Sequence, residues 1–215
     1  MNIVVFGGGM PNKFGFNFCN KARDDGHSVY VISHQSYENT NTNHAVADFL
    51  DPTNVVDTFN KLLENVKNID ILIYVTNGHA YPDNESAYKS TSVVDIKAWY
   101  RTMNLHTITP HMVCVNALNK MTTGSKFVFF SSHQATCFNK KDWMHRLGYA
   151  TGKAGQTHLM QALAYDNDKG AIATAILTHF PYEDPKRLTD TYEMIYNYII
   201  NFNSTENGSI KEIVL

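Results

Sequence analysis

Five short runs of this 215-residue chain are apolar on consecutive residues: 3–6 (IVVF), 29–32 (VYVI), 71–75 (ILIYV), 127–130 (FVFF) and 172–177 (IATAIL). A strand with one wet face alternates apolar and polar residues, whereas a strand buried on both faces does not. Helix-length segments lie between most of these runs, so the strands are parallel and joined by crossovers that lay helices on both sides of the sheet. The pattern predicts an α/β protein built as a doubly wound parallel sheet in three layers, α/β/α. It places helices at 16–24, 54–66, 96–121, 150–165 and 188–200 and a last strand at 209–215, and it leaves the polar stretch 34–44 (HQSYENTNTNH) as a loop. Pro110 falls inside the helix expected over 96–121, where it deletes a backbone donor and clashes with the carbonyl of His106, so a kink or break is expected close to Asn104.

No internal repeat, low-complexity tract or proline-rich linker interrupts the pattern, and the expectation is one domain over residues 1–215. No apolar run approaches the ~18 residues a bilayer span needs, and residues 1–6 run straight into glycines without the basic segment and cleavage site of a signal peptide. No membrane association is expected. A formal net charge of -2 gives no electrostatic case for nucleic acid. Cys19, Cys114 and Cys137 are odd in number and far apart, which fits a reducing compartment, and the cytoplasm is the expected location. Small molecules are left as the partners.

Residues 3–15 read IVVFGGGMPNKFG, a buried strand entering a glycine-rich turn and then a helix. That arrangement presents backbone N–H groups and a helix N-terminus to a pyrophosphate, with Gly7, Gly9, Lys13, Phe14 and Gly15 as candidate contacts. The plainer reading is a tight strand-to-helix connection. The second strand ends in VYVISHQ (29–35) with Ser33 and His34 where an acidic residue would take the hydroxyls of an adenosine ribose. No acid stands there, and Lys13 is placed to meet a 2′-phosphate, so NADP(H) is favoured over NAD(H).

In GYATGKAG (148–155) Tyr149 and Lys153 are four residues apart and share one face of a helix. A phenol is a poor base at neutral pH, and a neighbouring ammonium stabilises the phenolate and makes it a usable acid/base. The plainer reading is an exposed pair with an ordinary core tyrosine. Upstream, FVFFSS (127–132) ends a buried strand with two hydroxyls at the carboxyl edge of the sheet, and Ser132 is placed to bond a substrate oxygen. Ten histidines invite a metal, but no H-E-x-x-H or clustered spacing occurs and none is expected.

Taken together these residues resemble the short-chain dehydrogenase/reductase family and its Rossmann-like fold. Tyr149, Lys153, Ser132 and Asn104 match the family's tyrosine, lysine, serine and asparagine. GGGMPNKFG matches its cofactor turn, Asp48 with Phe49 in ADFLD its adenine-contacting aspartate, TNG with Asn77 and Gly78 its N-A-G motif, and MNL its asparagine helix. The resemblance implies an NAD(P)(H)-dependent oxidoreductase acting on a small-molecule carbonyl or alcohol. Tyr149 would be the acid/base, Ser132 would polarise the substrate oxygen, and Lys153 would hold the nicotinamide ribose and lower the tyrosine pKa. Asn104 would keep a relay water, helped by carbonyls that Pro110 frees. The resemblance also implies a homodimer or homotetramer through the helices bearing Asn104 and Tyr149, although Met112, Val115, Leu159, Met160 and Leu163 serve a monomer core equally well.

The chain departs from the family in several places. Lys13 stands where the middle glycine of the turn is expected, so that Gly7 or Gly8 begins a longer turn. The segment between Ser132 and Tyr149 is long, and its Lys140, Lys141 and Arg146 beside Trp143 suit an anionic or aromatic substrate or, equally, a solvated loop. THFPYED (178–184) replaces the usual proline-glycine, and the short segment after Phe180 implies a small lid and an open pocket. That shortness also speaks against a nucleotide-sugar epimerase. The irregular glycine turn keeps one alternative in view, a non-catalytic dinucleotide-binding regulator or scaffold of the same fold.

Overall fold

The computed structural model of the chain describes residues 1–11, 13–36, 43–76, 96–135, 147–178 and 183–213. The strands are β1 (Asn2–Phe6), β2 (Ser28–Ser33), β3 (His44–Val46), β4 (Ile71–Tyr74), β5 (Lys126–Phe130), β6 (Ile172–Thr178) and β7 (Ser209–Ile213). They form one sheet in the order β3-β2-β1-β4-β5-β6-β7, and each neighbouring pair is parallel. The winding reverses between β1 and β4, which opens the crevice outside the carboxyl ends of the strands where ligands of such sheets bind.

The helices are α1 (Phe14–Asp24), α2 (Pro52–Leu62), α3 (Ile96–Met103), α4 (Thr109–Leu118), α5 (Leu147–Asp166) and α6 (Pro185–Asn201). Consecutive apolar residues feed the two faces in turn. Val4, Phe6, Leu72 and Tyr74 pack with Phe59 of α2, Val113 of α4 and Met160 of α5, while Ile3, Val5, Ile71 and Ile73 pack with Phe18 of α1 and Ile195 of α6. The three expected layers are therefore present. Burial of such a side chain contributes about 1.5–3 kcal/mol each, which fixes the strand register. No helix among the described residues is long and apolar enough to cross a membrane.

Three features differ from the sequence reading. First, β3 begins at His44, inside the end of the stretch read as loop, and pairs its three residues with the end of β2; a strand this short carries no periodic signal. Second, four helices start earlier than the apolar spacing places them. α1 begins at Phe14, α2 and α6 begin at prolines after the aspartate caps Asp51 and Asp184, and α5 begins at Leu147, so Tyr149 lies inside its first turn. Proline needs no amide partner at the first helical position, and the preceding carboxylate accepts the amides that follow. Third, the expected break near Asn104 is a π-turn over Asn104–Ile108 between α3 and α4.

The π-turn has a local cause. The Thr109 amide donates to the Asn104 carbonyl five residues back, so the Leu105 carbonyl would next look to residue 110, and proline has no N–H to give. The buried Tyr74 hydroxyl of β4 donates to that carbonyl instead, at 3.1 Å. The carbonyls of Asn104 and Leu105 are thus engaged within the protein rather than freed by Pro110.

Candidate active site

The glycine turn joins β1 to α1 at the carboxyl edge of the sheet. Gly7 has φ +93°, the left-handed region where other residues are strained, and its amide donates to Ile32 O at 2.8 Å. Gly8 and Gly15 are required by space. A Cβ on Gly8 would lie 2.9 Å from Cys19 Sγ and 3.0 Å from Val5 Cγ1, and one on Gly15 would lie 2.9 Å from the Gly8 Cα. The turn is therefore pressed onto both α1 and β1. α1 itself has no side-chain cap and no acidic residue in its first turn, so its N-terminal amides keep the positive end of the helix dipole open to an anion. Gly9 is buried within the turn and Lys13 is half-buried at the helix start. The Phe14 ring is not available to a ligand, because it packs at 4.8 Å on Phe130 and 5.6 Å on Tyr192; only its backbone can contribute.

At the end of β2 the two candidates divide. Ser33 is 1% exposed, and its hydroxyl donates to Gln35 O and accepts from His44 Nε2, each at 2.6 Å. Burial holds His44 below the usual imidazole range, consistent with a neutral ring whose Nε2–H is the donor. Ser33 is sealed, and His34 alone faces solvent.

Asp48 is exposed, with one carboxylate oxygen accepting the Leu50 amide at 2.9 Å. Phe49 turns its ring into the core beside Phe6 and Tyr74. Its carbonyl accepts the Thr109 hydroxyl at 3.2 Å, and the next carbonyl, of Leu50, accepts the Asn104 side-chain amide at 2.9 Å. The π-turn therefore clamps the Asp48 loop, and the Asn104 amide is directed there.

Lys153 is fully buried. Its Nζ donates to Phe130 O at 2.7 Å, Thr76 O at 3.1 Å and Gln156 Oε1 at 3.2 Å, which takes up the three N–H groups of an ammonium. The ends of β4 and β5 thus converge on one cation, and burial depresses its pKa to about 7. The nitrogen lies 5.9 Å from the centre of the Tyr149 ring. Tyr149 is 8% exposed and meets the His106 imidazole edge-on at 5.2 Å. Ser132 lies two residues beyond β5, and its carbonyl accepts the Ala135 amide at 2.8 Å, forming a short 3-10 turn (His133–Ala135) that packs on α5. Tyr149, Lys153 and Ser132 therefore share the carboxyl edge with the glycine turn, while the side chain of Asn104 works on the Asp48 loop.

Close approach of α5 to the π-turn depends on two glycines. A Cβ on Gly152 would come within 3.0 Å of His106 Cβ, and one on Gly155 within 2.7 Å of Thr107 Oγ1; Thr107 also donates to Gly152 O at 3.1 Å. His106, Tyr74 and Gln156 are the site neighbours that the sequence reading missed. Gln156 is three residues beyond Lys153 and shares its helix face, so that spacing was the available signal; nothing local marked the other two. Asn77, Gly78, Lys140, Lys141, Trp143, Arg146 and residues 179–182 lie outside the described residues.

A family model described as short chain dehydrogenase matches residues 8–178. Among solved structures, a double variant of a Serratia marcescens short-chain dehydrogenase/reductase superposes with a TM-score of 0.78 at 14% identity, covering 99% of this chain and 94% of that one. An oxidoreductase of the same family from Brucella ovis, in complex with a partially ordered NAD, gives 0.76 at 17% identity and covers 99% of each chain. BdcA in complex with NADPH gives 0.74 at 15% identity, covering 99% of this chain and 92% of that one. At such identities the likeness establishes the fold alone. No curated protein shows significant sequence similarity to the chain.

Proposed function

This chain belongs to the short-chain dehydrogenase family, and on that premise we propose that it interconverts a carbonyl and a secondary alcohol with a nicotinamide dinucleotide, Tyr149 serving as acid/base. The observation that carries the reading is the buried Lys153 nitrogen, 5.9 Å from the Tyr149 ring and tied to the ends of two central strands. A lysine is seldom buried whole, and a cation fixed beside a phenol is the arrangement that lowers the energy of a phenolate.

The residues fit a dinucleotide. The open N-terminus of α1 and the turn through Gly7, Gly9 and Gly15 suit a pyrophosphate, the exposed Asp48 carboxylate suits the adenine end, and Lys153 suits the nicotinamide ribose. When bound, the dinucleotide supplies or accepts the hydride. The Tyr149 hydroxyl gives its proton to the carbonyl oxygen in reduction and removes it from the alcohol in oxidation. The Ser132 hydroxyl orients the same oxygen, and Asn104 acts by holding the Asp48 loop through Leu50.

NADP(H) is the preferred form in this reading, because β2 ends without an acid and Lys13 stands at the turn. With Ser33 sealed, discrimination falls to His34 and Lys13. Fluorescence titration with both reduced cofactors checks this, and tighter binding of NADH removes the preference. One observation favours a non-catalytic, nucleotide-binding reading: all three N–H groups of Lys153 already have protein acceptors, so contact with a ribose requires one to be released. NAD(P)H oxidation against a panel of carbonyls decides. Tyr149→Phe is expected to lower turnover by about 10²–10⁴-fold while leaving cofactor affinity within a few-fold, and an unchanged rate in that variant refutes the assignment.

A further inference from the structure

We propose that Gln156 is a positioning residue for Lys153, its side-chain oxygen acting as the one releasable acceptor of an otherwise fixed ammonium; the inference rests on the role given to Lys153 above. The three acceptors differ in kind. Those of Phe130 and Thr76 are backbone carbonyls at the ends of β5 and β4, held by the sheet. Gln156 Oε1 is the longest contact, at 3.2 Å, and sits on a side chain with rotatable bonds. The backbone around it is pinned, since the Thr157 hydroxyl donates to Lys153 O at 3.0 Å and pairs with Ser131 Oγ at 2.7 Å.

Gln156 is itself fully buried, and its Nε2 has no hydrogen-bond partner among the described residues. A buried amide donor left unsatisfied is destabilising, a cost that an apolar residue of similar size would avoid. The glutamine is thus poorly explained by packing and well explained by its oxygen. Its two ends also respond oppositely to the lysine. Oε1 suits the ammonium, whereas Nε2 faces it favourably only when the amine is neutral and offers a lone pair. The amide orientation and the lysine proton are therefore linked, and release of Oε1 leaves one N–H for a ribose hydroxyl.

Burial lowers Lys153 to about 7, so both protonation forms are populated near neutrality. The titratable groups on the elements packed around it include the Tyr149 phenol, with His158, Tyr165 and Asp166 further along α5, the His106 imidazole of the π-turn, the Tyr74 phenol of β4, Lys126 at the start of β5 and His111 and Cys114 of α4. His133, on the 3-10 turn, lies 3.7 Å from Glu212, and Lys97 and Arg101 of α3 are exposed. Burial is the cause of the Lys153 shift, and among the described residues Gln156 is the side chain that accepts from its ammonium.

The test is a pH titration of the lysine side-chain carbons by NMR on the nucleotide-free protein, with Lys153→Met assigning the signal. Gln156→Leu is expected to move the Lys153 midpoint down by about one unit, since a hydrogen bond to a charged group is lost, and Gln156→Glu to move it up by at least as much. A midpoint unmoved in both variants, or moved up by leucine, overturns the proposal. Should Gln156→Leu not fold, the Glu variant and Gln156→Met decide it. Titration of NADPH and NADH into the same proteins separates the two ideas: failure to bind either nucleotide sinks the functional reading and leaves the lysine result standing.

Discussion

Replacing Lys153 with methionine removes the one fully buried ammonium among the described residues and should change how stability responds to pH. In the folded protein the lysine gives up its proton at about 7, against an ordinary 10.5 for an exposed lysine. Between those values the unfolded chain binds the proton that the native chain has released, so native stability rises with pH. At pH 7 and below the destabilisation is nearly complete, and each unit above it recovers up to about 1.36 kcal/mol. Allowing for the half-titrated lysine at pH 7, the wild type should gain about 1.5 kcal/mol on Lys153→Met between pH 7 and pH 8.5. Other groups slope differently. Burial pushes the Cys19 thiol up to about 12 and raises that of Cys114 as well, which costs stability as the unfolded thiols ionise. Both remain in the variant and cancel in the difference. Urea unfolding of the two proteins at half-unit intervals gives the difference curve, and the constant loss of the lysine's hydrogen bonds to Phe130 O and Thr76 O shifts that curve without tilting it. A flat curve over this window would show that Lys153 titrates as if exposed, and the account of the site would fail with it.

Tyr74→Phe leaves the buried Leu105 carbonyl without its donor and should cost about 1–3 kcal/mol in urea unfolding; in a Pro110→Ala background the loss should shrink, because an amide at 110 can take the same carbonyl, and equal losses in both backgrounds would refute the explanation of the π-turn. Gly8→Ala forces a methyl against Cys19 Sγ and should destabilise the fold by about 1–3 kcal/mol and weaken nucleotide binding, with Cys19→Ala restoring part of the stability. Additive effects of those two substitutions would show that they do not meet.

The sheet was readable because burial on both faces writes itself into consecutive apolar residues, as IVVF and FVFF show, and the tyrosine and lysine were readable because helical spacing alone puts them on one face. What escaped depends on neighbours distant in the chain. Ser33 is closed off by His44 and the carbonyl of Gln35, and no local pattern announces that pairing. Pro110 signalled an interruption, yet its form was decided by a tyrosine from another strand. The confinement of Lys153 needs β4 and β5 to end side by side, which only the folded sheet provides. The Asn104 amide likewise found its partner in Leu50, 54 positions away.

The π-turn carries one residue more than an α-helix would use over the same rise, and that surplus has a consequence for insertions and deletions. On one side of it Asn104 and Thr109 grip the carbonyls of Leu50 and Phe49; on the other Thr107 grips Gly152. Removing a single residue would close the segment to regular helix while its flanks keep their register, so the bulged residues themselves would be drawn in and re-aimed, and the two grips could no longer be kept at once. A shorter version of this helix could serve the loop or the tyrosine-bearing helix, and a lineage that lost the extra residue would have to rebuild one of them.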